Sequence, residues 1–320
     1  MKARGLNTID LFCGAGGSSW GAKLAGANIV AGFDASEIAG EAYGRNFPDA
    51  WFYEGFLEDW KPQKISRDLG NIDLLLASPE CTNHSPAKGK GPRCEKSKNT
   101  AFEVIRFARV FEPRWIVVEN VVSMKNWSRY GEFIAQLTGL GYQVSAQVLN
   151  AMHFGVPQSR RRLFLLCDRE REPATVCSDA SKLVPASQVI DQNGTYGYNP
   201  LRVESRAKAT LERAERAIGA LGERRSFLLV YYGSDQAGGW QRLTRPLRTI
   251  TTLDRFAFVK RVDGQHMMRM LQVPELKAAM GMPKCFDVVT SSRRKSIRLL
   301  GNAVCPPVMR AVVRTLVDRQ

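Results

Sequence analysis

The chain has 320 residues, enough to bury a large hydrophobic core and to form one large domain with a smaller one. Lys and Arg number 46 against 31 acidic residues, and the formal net charge of +15 is typical of proteins that bind a polyanion. Seven cysteines without a C-x-x-C pair argue against a disulfide framework and against a metal site. The sequence has no signal-like amino terminus and no run approaching 18 apolar residues, so we expect a cytoplasmic protein without a membrane partner.

Short apolar runs alternate with segments of helical spacing through the first half of the chain, which is the pattern of βαβ units. A weak strand precedes residue 72, and the other predicted strands are 8–12, 29–33, 72–76, 115–118, 143–149 and 163–167. The predicted helices are 36–46, 100–111 and 130–140. Residues 1–168 are therefore predicted to form an α/β domain with a doubly wound, mostly parallel sheet.

The alternating pattern weakens after Asp168. Residues 169–244 carry charge runs, a polar stretch and a basic helix candidate at 203–225, so we interpret them as a smaller separate domain. Regular segments return at 247–259, at 267–280 with helix-like spacing, and at 301–317. We expect residues 245–320 to complete the first domain.

A glycine-rich turn follows the first predicted strand, in the sequence D-L-F-C-G-A-G-G at residues 10–17. Glycines let the backbone approach a ligand closely, and the helix that follows points amides at it. Asp34 follows the second strand, where a carboxylate can accept both ribose hydroxyls of an adenosine group or, alternatively, cap a helix. The spacing G-x-G-x-x-G is absent, so the pattern favours S-adenosylmethionine over a dinucleotide.

Three segments can bring reactive groups to the same edge of the predicted sheet. Cys81 follows an apolar run, Glu119 ends another, and Arg160 and Arg162 precede a third. The carboxyl ends of parallel strands form the ligand-binding rim of such sheets, so a thiol, a carboxyl group and two arginines would converge there. This set suits the addition of a thiolate to a pyrimidine ring. Each residue alone also has a plain explanation: a buried structural thiol, an ion pair and a solvated charged turn.

In their order along the chain, these motifs resemble those of the DNA cytosine-5 methyltransferase family. Six segments, spread over almost 300 residues, are similar to D-L-F-x-G-x-G-G, the cysteine loop, E-N-V, Q-x-R-x-R, R-P-x-x-T and G-N-S-V: 10–17, 77–85, 119–121, 158–162, 245–249 and 301–304. The resemblance implies a Rossmann-like methyltransferase sheet, with a target recognition domain at 169–244.

The resemblance also implies a reaction and a set of site residues. Cys81 would add to C6 of a cytosine flipped out of duplex DNA, Glu119 would protonate N3, and Arg160 and Arg162 would donate hydrogen bonds to O2 and to the cysteine loop. S-adenosylmethionine would be the cofactor. The implied cofactor-binding residues are Asp10, Phe12, Gly14, Gly16, Gly17, Asp34, Asn302 and Ala303.

Contacts with DNA are expected from two basic regions. The glycine-rich, basic segment 86–98 is expected to form a loop that closes over the duplex. The basic cluster within 202–225 is expected to supply phosphate contacts. The candidate DNA-binding residues are Ser85, Lys88, Lys90, Arg93, Arg206 and Arg213. We expect a monomeric bacterial or phage enzyme associated with the nucleoid, with a cognate restriction endonuclease as a candidate partner.

Three residues depart from the family pattern and keep alternatives open. Glu80 stands where the family has a proline before the cysteine, Phe56 where it usually has an acid, and Ala303 where it has a serine. One alternative is a tRNA cytosine-5 methyltransferase; another is a catalytically silent DNA-binding homologue, which Glu80 keeps open. The remaining cysteines are expected to be buried structural thiols: Cys13, Cys94, Cys167, Cys177, Cys285 and Cys305.

Overall fold

The computed structural model describes residues 5–79, 100–178, 183–232 and 238–318. The strands of the first domain are β1 (Asn7–Leu11), β2 (Asn28–Asp34), β3 (Trp51–Glu54), β4 (Leu74–Ala77), β5 (Trp115–Asn120), β6 (Gln143–Asn150) and β7 (Arg161–Asp168). Its helices are α1 (Gly17–Ala25), α2 (Glu37–Asn46), α3 (Pro62–Leu69), α4 (Phe102–Phe111) and α5 (Tyr130–Gly139). The predicted strands and helices of this half are confirmed.

These strands form one sheet in the order β3-β2-β1-β4-β5-β7-β6. The first five are parallel, whereas β7 runs antiparallel to both β5 and β6. Helices α3, α4 and α5 pack their apolar side chains on one face of the sheet, and α1 and α2 on the other. The doubly wound, mostly parallel sheet is therefore confirmed, and the carboxyl ends of β1, β2, β4 and β5 share one edge, which we call the carboxyl edge.

A second, antiparallel sheet has the order β10-β9-β11-β12-β8. Its strands are β8 (Asn199–Pro200), β9 (Phe227–Val230), β10 (Trp240–Arg242), β11 (Phe256–Val262) and β12 (Gln265–Met270), and α6 (Lys208–Leu221) packs on it. The sheet therefore includes two strands beyond residue 244, and the domain division at that residue stays a prediction.

The helix predicted from the spacing at 267–280 is wrong for residues 267–270. Residues up to Met270 form β12 because they pair with β11 on one side and β8 on the other, and only α7 (Val273–Ala279) is helical. The regular segment 301–317 is also divided: α8 (Arg293–Asn302) ends before α9 (Pro306–Val317) begins. Pro306 and Pro307 lack the amides that a continuous helix needs, but they suit the first turn of α9.

A buried ion pair joins the second sheet to α7. Arg269, in β12, donates to both carboxylate oxygens of Glu275, at 2.6 and 2.7 Å, and both side chains are almost fully buried. Glu275 also accepts from the amides of Gln272 at 2.6 Å and Asp191 at 2.8 Å.

Within the described ranges, no helix is long and apolar enough to cross a lipid bilayer.

Candidate active site

The glycine loop turns the chain from β1 into α1. Phe12, Gly14 and Gly16 have positive φ angles of 58°, 54° and 90°. A Cβ atom at Gly16 would lie 2.3 Å from the Phe47 ring, and one at Gly17 would lie 2.4 Å from the Val304 carbonyl oxygen. Close packing therefore explains glycine at positions 16 and 17, whereas a Cβ atom at Gly14 would meet open space.

Asp10 fastens the start of α1 to the end of β1. Its Oδ2 accepts from the Ser18 hydroxyl at 2.5 Å, the Ser19 hydroxyl at 2.6 Å and the Ser19 amide at 3.1 Å. Its Oδ1 is buried and has no hydrogen-bond partner among the described residues. Burial raises the pKa of Asp10 to about 6, although the bonds from the two serines oppose this shift.

The raised pKa of Asp10 gives a pH-dependent contribution to stability. The protonated side chain is favoured in the folded state, so its stabilisation is complete below the ordinary pKa of 3.8 and is lost as the pH rises through about 6. Asp10→Asn does not titrate. We expect the stability of the wild type relative to this variant to fall by up to ~3 kcal/mol between pH 3.5 and pH 7, as urea unfolding would measure. A constant difference across this range would contradict the expectation.

Asp34 lies at the end of β2 and contacts the glycine loop directly. One carboxylate oxygen accepts from the Gly14 amide and the other from the Ser36 amide, both at 2.9 Å. The side-chain cap of α2 is Ser36, which accepts from the Ala39 amide, so Asp34 is not that cap. Burial raises the pKa of the Asp34 carboxyl group, and the amide of Gly14 opposes the shift.

The segment after β3 lies beside Asp34 at the same edge. Glu54 pairs in register with Asp34, and the Gly55 amide donates to the Asp34 carbonyl at 3.0 Å. Phe56 follows with 63% of its surface exposed. An aromatic side chain therefore occupies the edge where the family pattern has an acid.

Glu119 is buried near the end of β5 and forms an ion pair with Arg162 in the neighbouring strand β7. Arg162 Nε lies 3.2 Å from Glu119 Oε1. Burial raises the pKa of Glu119, and the positive charges of Arg162 and Arg160 oppose this shift. The carboxyl group is thus disposed to hold a proton at higher pH than an exposed glutamate.

Asn120 links this ion pair to the end of β4. Its side-chain amide donates to the Pro79 carbonyl at 3.2 Å, and its oxygen accepts from the Val121 amide at 2.8 Å. Pro79 stands two residues before Cys81 in the sequence. The predicted functional residues Cys81, Ser85, Lys88, Lys90 and Arg93, together with Glu80, lie outside the described residues.

Arg160 is buried and bonds to segments that are distant in the sequence. It donates to the carbonyls of Ile250 at 2.9 Å, Gly301 at 2.8 Å and Ala303 at 3.0 Å. Gln158 also binds Ile250, accepting from its amide at 2.8 Å. These two motif residues therefore fasten the returning chain to the carboxyl edge, a positioning role that spacing alone did not indicate.

The carboxyl-terminal end of α8 reaches the same edge. A Cβ atom at Gly301 would lie 2.4 Å from the Thr251 backbone, so only glycine fits there. Asn302 is exposed in the last turn, and Ala303 is half-buried directly after it. Arg160 holds the backbone around these two predicted cofactor residues through the carbonyls of Gly301 and Ala303.

The two predicted DNA-binding arginines of the second sheet have contacts within that domain. Arg206 donates to the carbonyls of Pro200 and Leu201, and the Arg213 guanidinium lies over the Tyr231 ring, 5.4 Å from its centroid. Both side chains are half-buried. Their contact with DNA stays a prediction.

The cysteines divide into two groups. Cys13, Cys167 and Cys305 are free and buried, as expected, but Cys177 and Cys285 are exposed, so the prediction for these two is wrong. Cys94 lies outside the described residues. Across the part of the chain that the structure describes, no cluster of His, Cys, Asp and Glu could hold a metal ion.

The sheet order, the glycine loop and the acid after β2 place the molecule among the α/β methyltransferases. The pattern of the C-5 cytosine-specific DNA methylase family matches residues 6–318, and the chain belongs to this family. The Type II methyltransferase M.DdeI of Desulfomicrobium norvegicum is 32% identical over 59% of this chain and 46% of its own length. M.BsuFI of Bacillus subtilis is 26% identical over 98% of this chain and 73% of its own length.

A solved structure agrees with the fold. The Entamoeba histolytica methyltransferase EhMeth superposes with a TM-score of 0.71 over 98% of both chains, at 18% sequence identity, which supports the fold alone. The chain spans less than half the length of M.DdeI.

Proposed function

We propose that the protein transfers a methyl group from S-adenosylmethionine to C5 of cytosine in duplex DNA, through a covalent adduct on Cys81. One observation carries the proposal: Glu119 is buried beside Arg162 at the end of β5, next to Asn120, which holds Pro79. Pro79 stands two residues before Cys81 in the sequence, and β4, which Pro79 follows, pairs with β5, so this arrangement supports a reaction that uses both groups. Family membership supports the same reaction.

The chemistry requires both groups. The Cys81 thiolate forms a bond to C6 of the cytosine, and the electrons displaced by this addition make C5 nucleophilic while negative charge grows toward N3. Glu119, with its raised pKa, supplies a proton at N3. C5 would take the methyl group as the carbon–sulfur bond of the sulfonium donor breaks and the sulfur keeps the electron pair. A base or water then removes the C5 proton, the thiolate leaves as the C5–C6 double bond returns, and N3 returns its proton to Glu119. The target base must leave the duplex stack to reach this edge.

The residues at the ends of β1 and β2 fit an adenosyl cofactor. Asp34 presents a carboxylate beside Gly14, where a Cβ atom would meet open space. Asp10 Oδ1 is buried without a partner among the described residues, and the first turn of α1 carries no acid that would repel a carboxylate. S-adenosylmethionine would supply an electrophilic methyl group there. The proposed contacts are Asp10, Phe12, Gly14, Gly16, Gly17, Asp34, Asn302 and Ala303.

Asp34→Ala should weaken S-adenosylmethionine binding by roughly 1–3 kcal/mol, because a charge-assisted hydrogen bond to the ribose would be lost. Titration calorimetry measures the change, and Asp49→Ala, on an exposed turn, is the matched control. Because Asp34 also holds the Gly14 amide, the comparison is repeated with a 2′-deoxyribose cofactor analogue. If the ribose contact exists, the loss of affinity from wild type to Asp34→Ala should be much smaller for this analogue than for the normal cofactor. Unchanged affinity for the normal cofactor would show that Asp34 serves only the loop.

The proposal is tested by the transfer of labelled methyl groups to duplex DNA and to tRNA, followed by mass spectrometry of the modified base. We expect 5-methylcytosine in DNA. Product in tRNA alone would establish the RNA alternative, and binding of DNA without product would establish the silent homologue. Mapping the modified cytosines would then give the recognition sequence.

The remaining assignments extend this proposal. Residues 169–244 would serve in target recognition, with Arg206 and Arg213 near the DNA, together with Ser85, Lys88, Lys90 and Arg93. We propose a monomer that acts at the nucleoid of a bacterial cell, with a cognate restriction endonuclease as a partner; the Type II relatives support this setting.

A further inference from the structure

Helix α8 begins at the second sheet. Arg293, its first residue, donates to the Asp254 carboxylate at 2.6 Å and to the Leu271 carbonyl at 2.5 Å. Asp254 stands just before β11, and Leu271 follows β12. The amino-terminal end of α8 is therefore fixed to the sheet of the proposed recognition domain.

The same helix ends at the carboxyl edge of the first sheet. Its last turn is held through the Gly301 carbonyl by Arg160, which lies two residues before Arg162 and the Glu119 ion pair. Helix α8 thus bridges the proposed recognition domain and the proposed catalytic groups. The exposed residues of α8 therefore stand along the line between these two regions.

The exposed face of α8 is basic. Ser296, Ile297, Leu300 and Gly301 face the core. Arg294, Arg298 and Asn302 are exposed and recur every four residues, so they form one stripe along the helix. The two arginines are separated by about 6 Å along the axis, from a rise of about 1.5 Å per residue.

The two arginines of this stripe are not compensated by any acidic residue that the structure describes. Among the described residues, no acidic group forms an ion pair with Arg294 or Arg298, whereas the adjacent Arg293 has Asp254. No acidic residue occurs in the sequence between Asp287 and Asp318. Two guanidinium groups on one helix, without an acidic partner among the described residues, repel each other, and a polyanion would relieve this repulsion.

We propose that Arg294 and Arg298, on the exposed stripe of α8, bind backbone phosphates of the duplex between the recognition domain and the target base. The inference rests on the proposed function and adds a contact surface outside the basic regions that the sequence indicated. Since phosphates carry no base identity, the contact sets position and affinity without contributing to sequence choice.

The test compares the double variant Arg294→Gln/Arg298→Gln with the wild type in binding to one duplex by fluorescence anisotropy at several salt concentrations. The plot of log K against log salt has a negative slope, and loss of two phosphate contacts should make it shallower by about 1.8, at about 0.9 per phosphate. The KM for DNA should rise roughly tenfold with kcat and cofactor affinity unchanged, because the contact is electrostatic and remote from the reacting atoms.

Arg109→Gln/Arg314→Gln is the matched control. Both arginines are exposed in the last turns of α4 and α9, at the opposite edge of the sheet, and the change in net charge is the same. We expect this control to keep the wild-type slope. Equal slopes for wild type and R294Q/R298Q, in a wild type that binds duplex DNA with steep salt dependence, would overturn the inference alone. A wild type that binds no duplex DNA would overturn the proposed function and the inference together.

Discussion

Cys81→Ser should abolish methyl transfer while leaving S-adenosylmethionine affinity unchanged. A serine hydroxyl is not ionised near neutral pH and adds poorly to a pyrimidine ring, whereas a cysteine is partly thiolate and intrinsically nucleophilic. The cofactor contacts proposed at the ends of β1 and β2 do not involve Cys81. Methyl incorporation measures the first effect and calorimetry the second.

A covalent trap tests the same residue by its product. On duplex DNA that contains 5-fluorocytosine, the adduct cannot lose the C5 substituent as a proton, so the wild type should remain attached to the DNA under denaturing electrophoresis. Cys81→Ser should give no such band. Cys177→Ser, which changes an exposed cysteine, is the control and should behave as the wild type. Full activity in the Cys81 variant would eliminate the nucleophile assignment.

Glu119→Gln should lower the single-turnover rate by about 10²–10⁴, the usual contribution of a general acid. Glutamine can still donate a hydrogen bond toward N3 but cannot give up a proton. Glu132→Gln, at an exposed position in α5, provides the control for the loss of one glutamate charge. A variant within threefold of the wild type would show that Glu119 only pairs with Arg162.

The pH profile separates the two roles of Glu119 further. If the protonated form is active, the wild-type rate should fall as the pH rises through the pKa of Glu119, which burial places above the ordinary value. Glu119→Gln should lack this alkaline decline because its side chain does not titrate. An identical decline in both proteins would assign the titration to another group.

The mostly buried strands β1, β2, β4, β5 and β7 could be predicted because each contains a short apolar run, whereas the more exposed β3 gave only a weak signal. The loop residues could be predicted because Asp10, Gly14 and Asp34 stand at or just beyond the ends of neighbouring strands, where chain direction alone brings them together. Strand β12 was missed because its residues have helix-like spacing. They form a strand only through pairing with β11 and β8, and that pairing is not visible in the local sequence.

The roles of individual motif residues depended on contacts that spacing does not encode. Arg160 binds carbonyls 90 and 141 residues away, and the sequence offered no signal for those partners. Asn120 could be recognised as part of a motif, but its bond to Pro79 required the two strand ends to be placed side by side. Close packing at Gly16 and Gly17 was likewise invisible, since the sequence suggested a ligand as the reason for glycine.

The five strands of the second sheet come from one continuous stretch, from β8 to β12, which makes this part of the chain a natural unit for transplantation between relatives. A graft that ended just after β12 would carry Arg269 into the host but would not include Glu275. Separating a buried charged pair costs about 3–5 kcal/mol. A chimera that exchanges this sheet should therefore include α7 in the transferred segment, or use a host that already supplies a glutamate facing the incoming arginine.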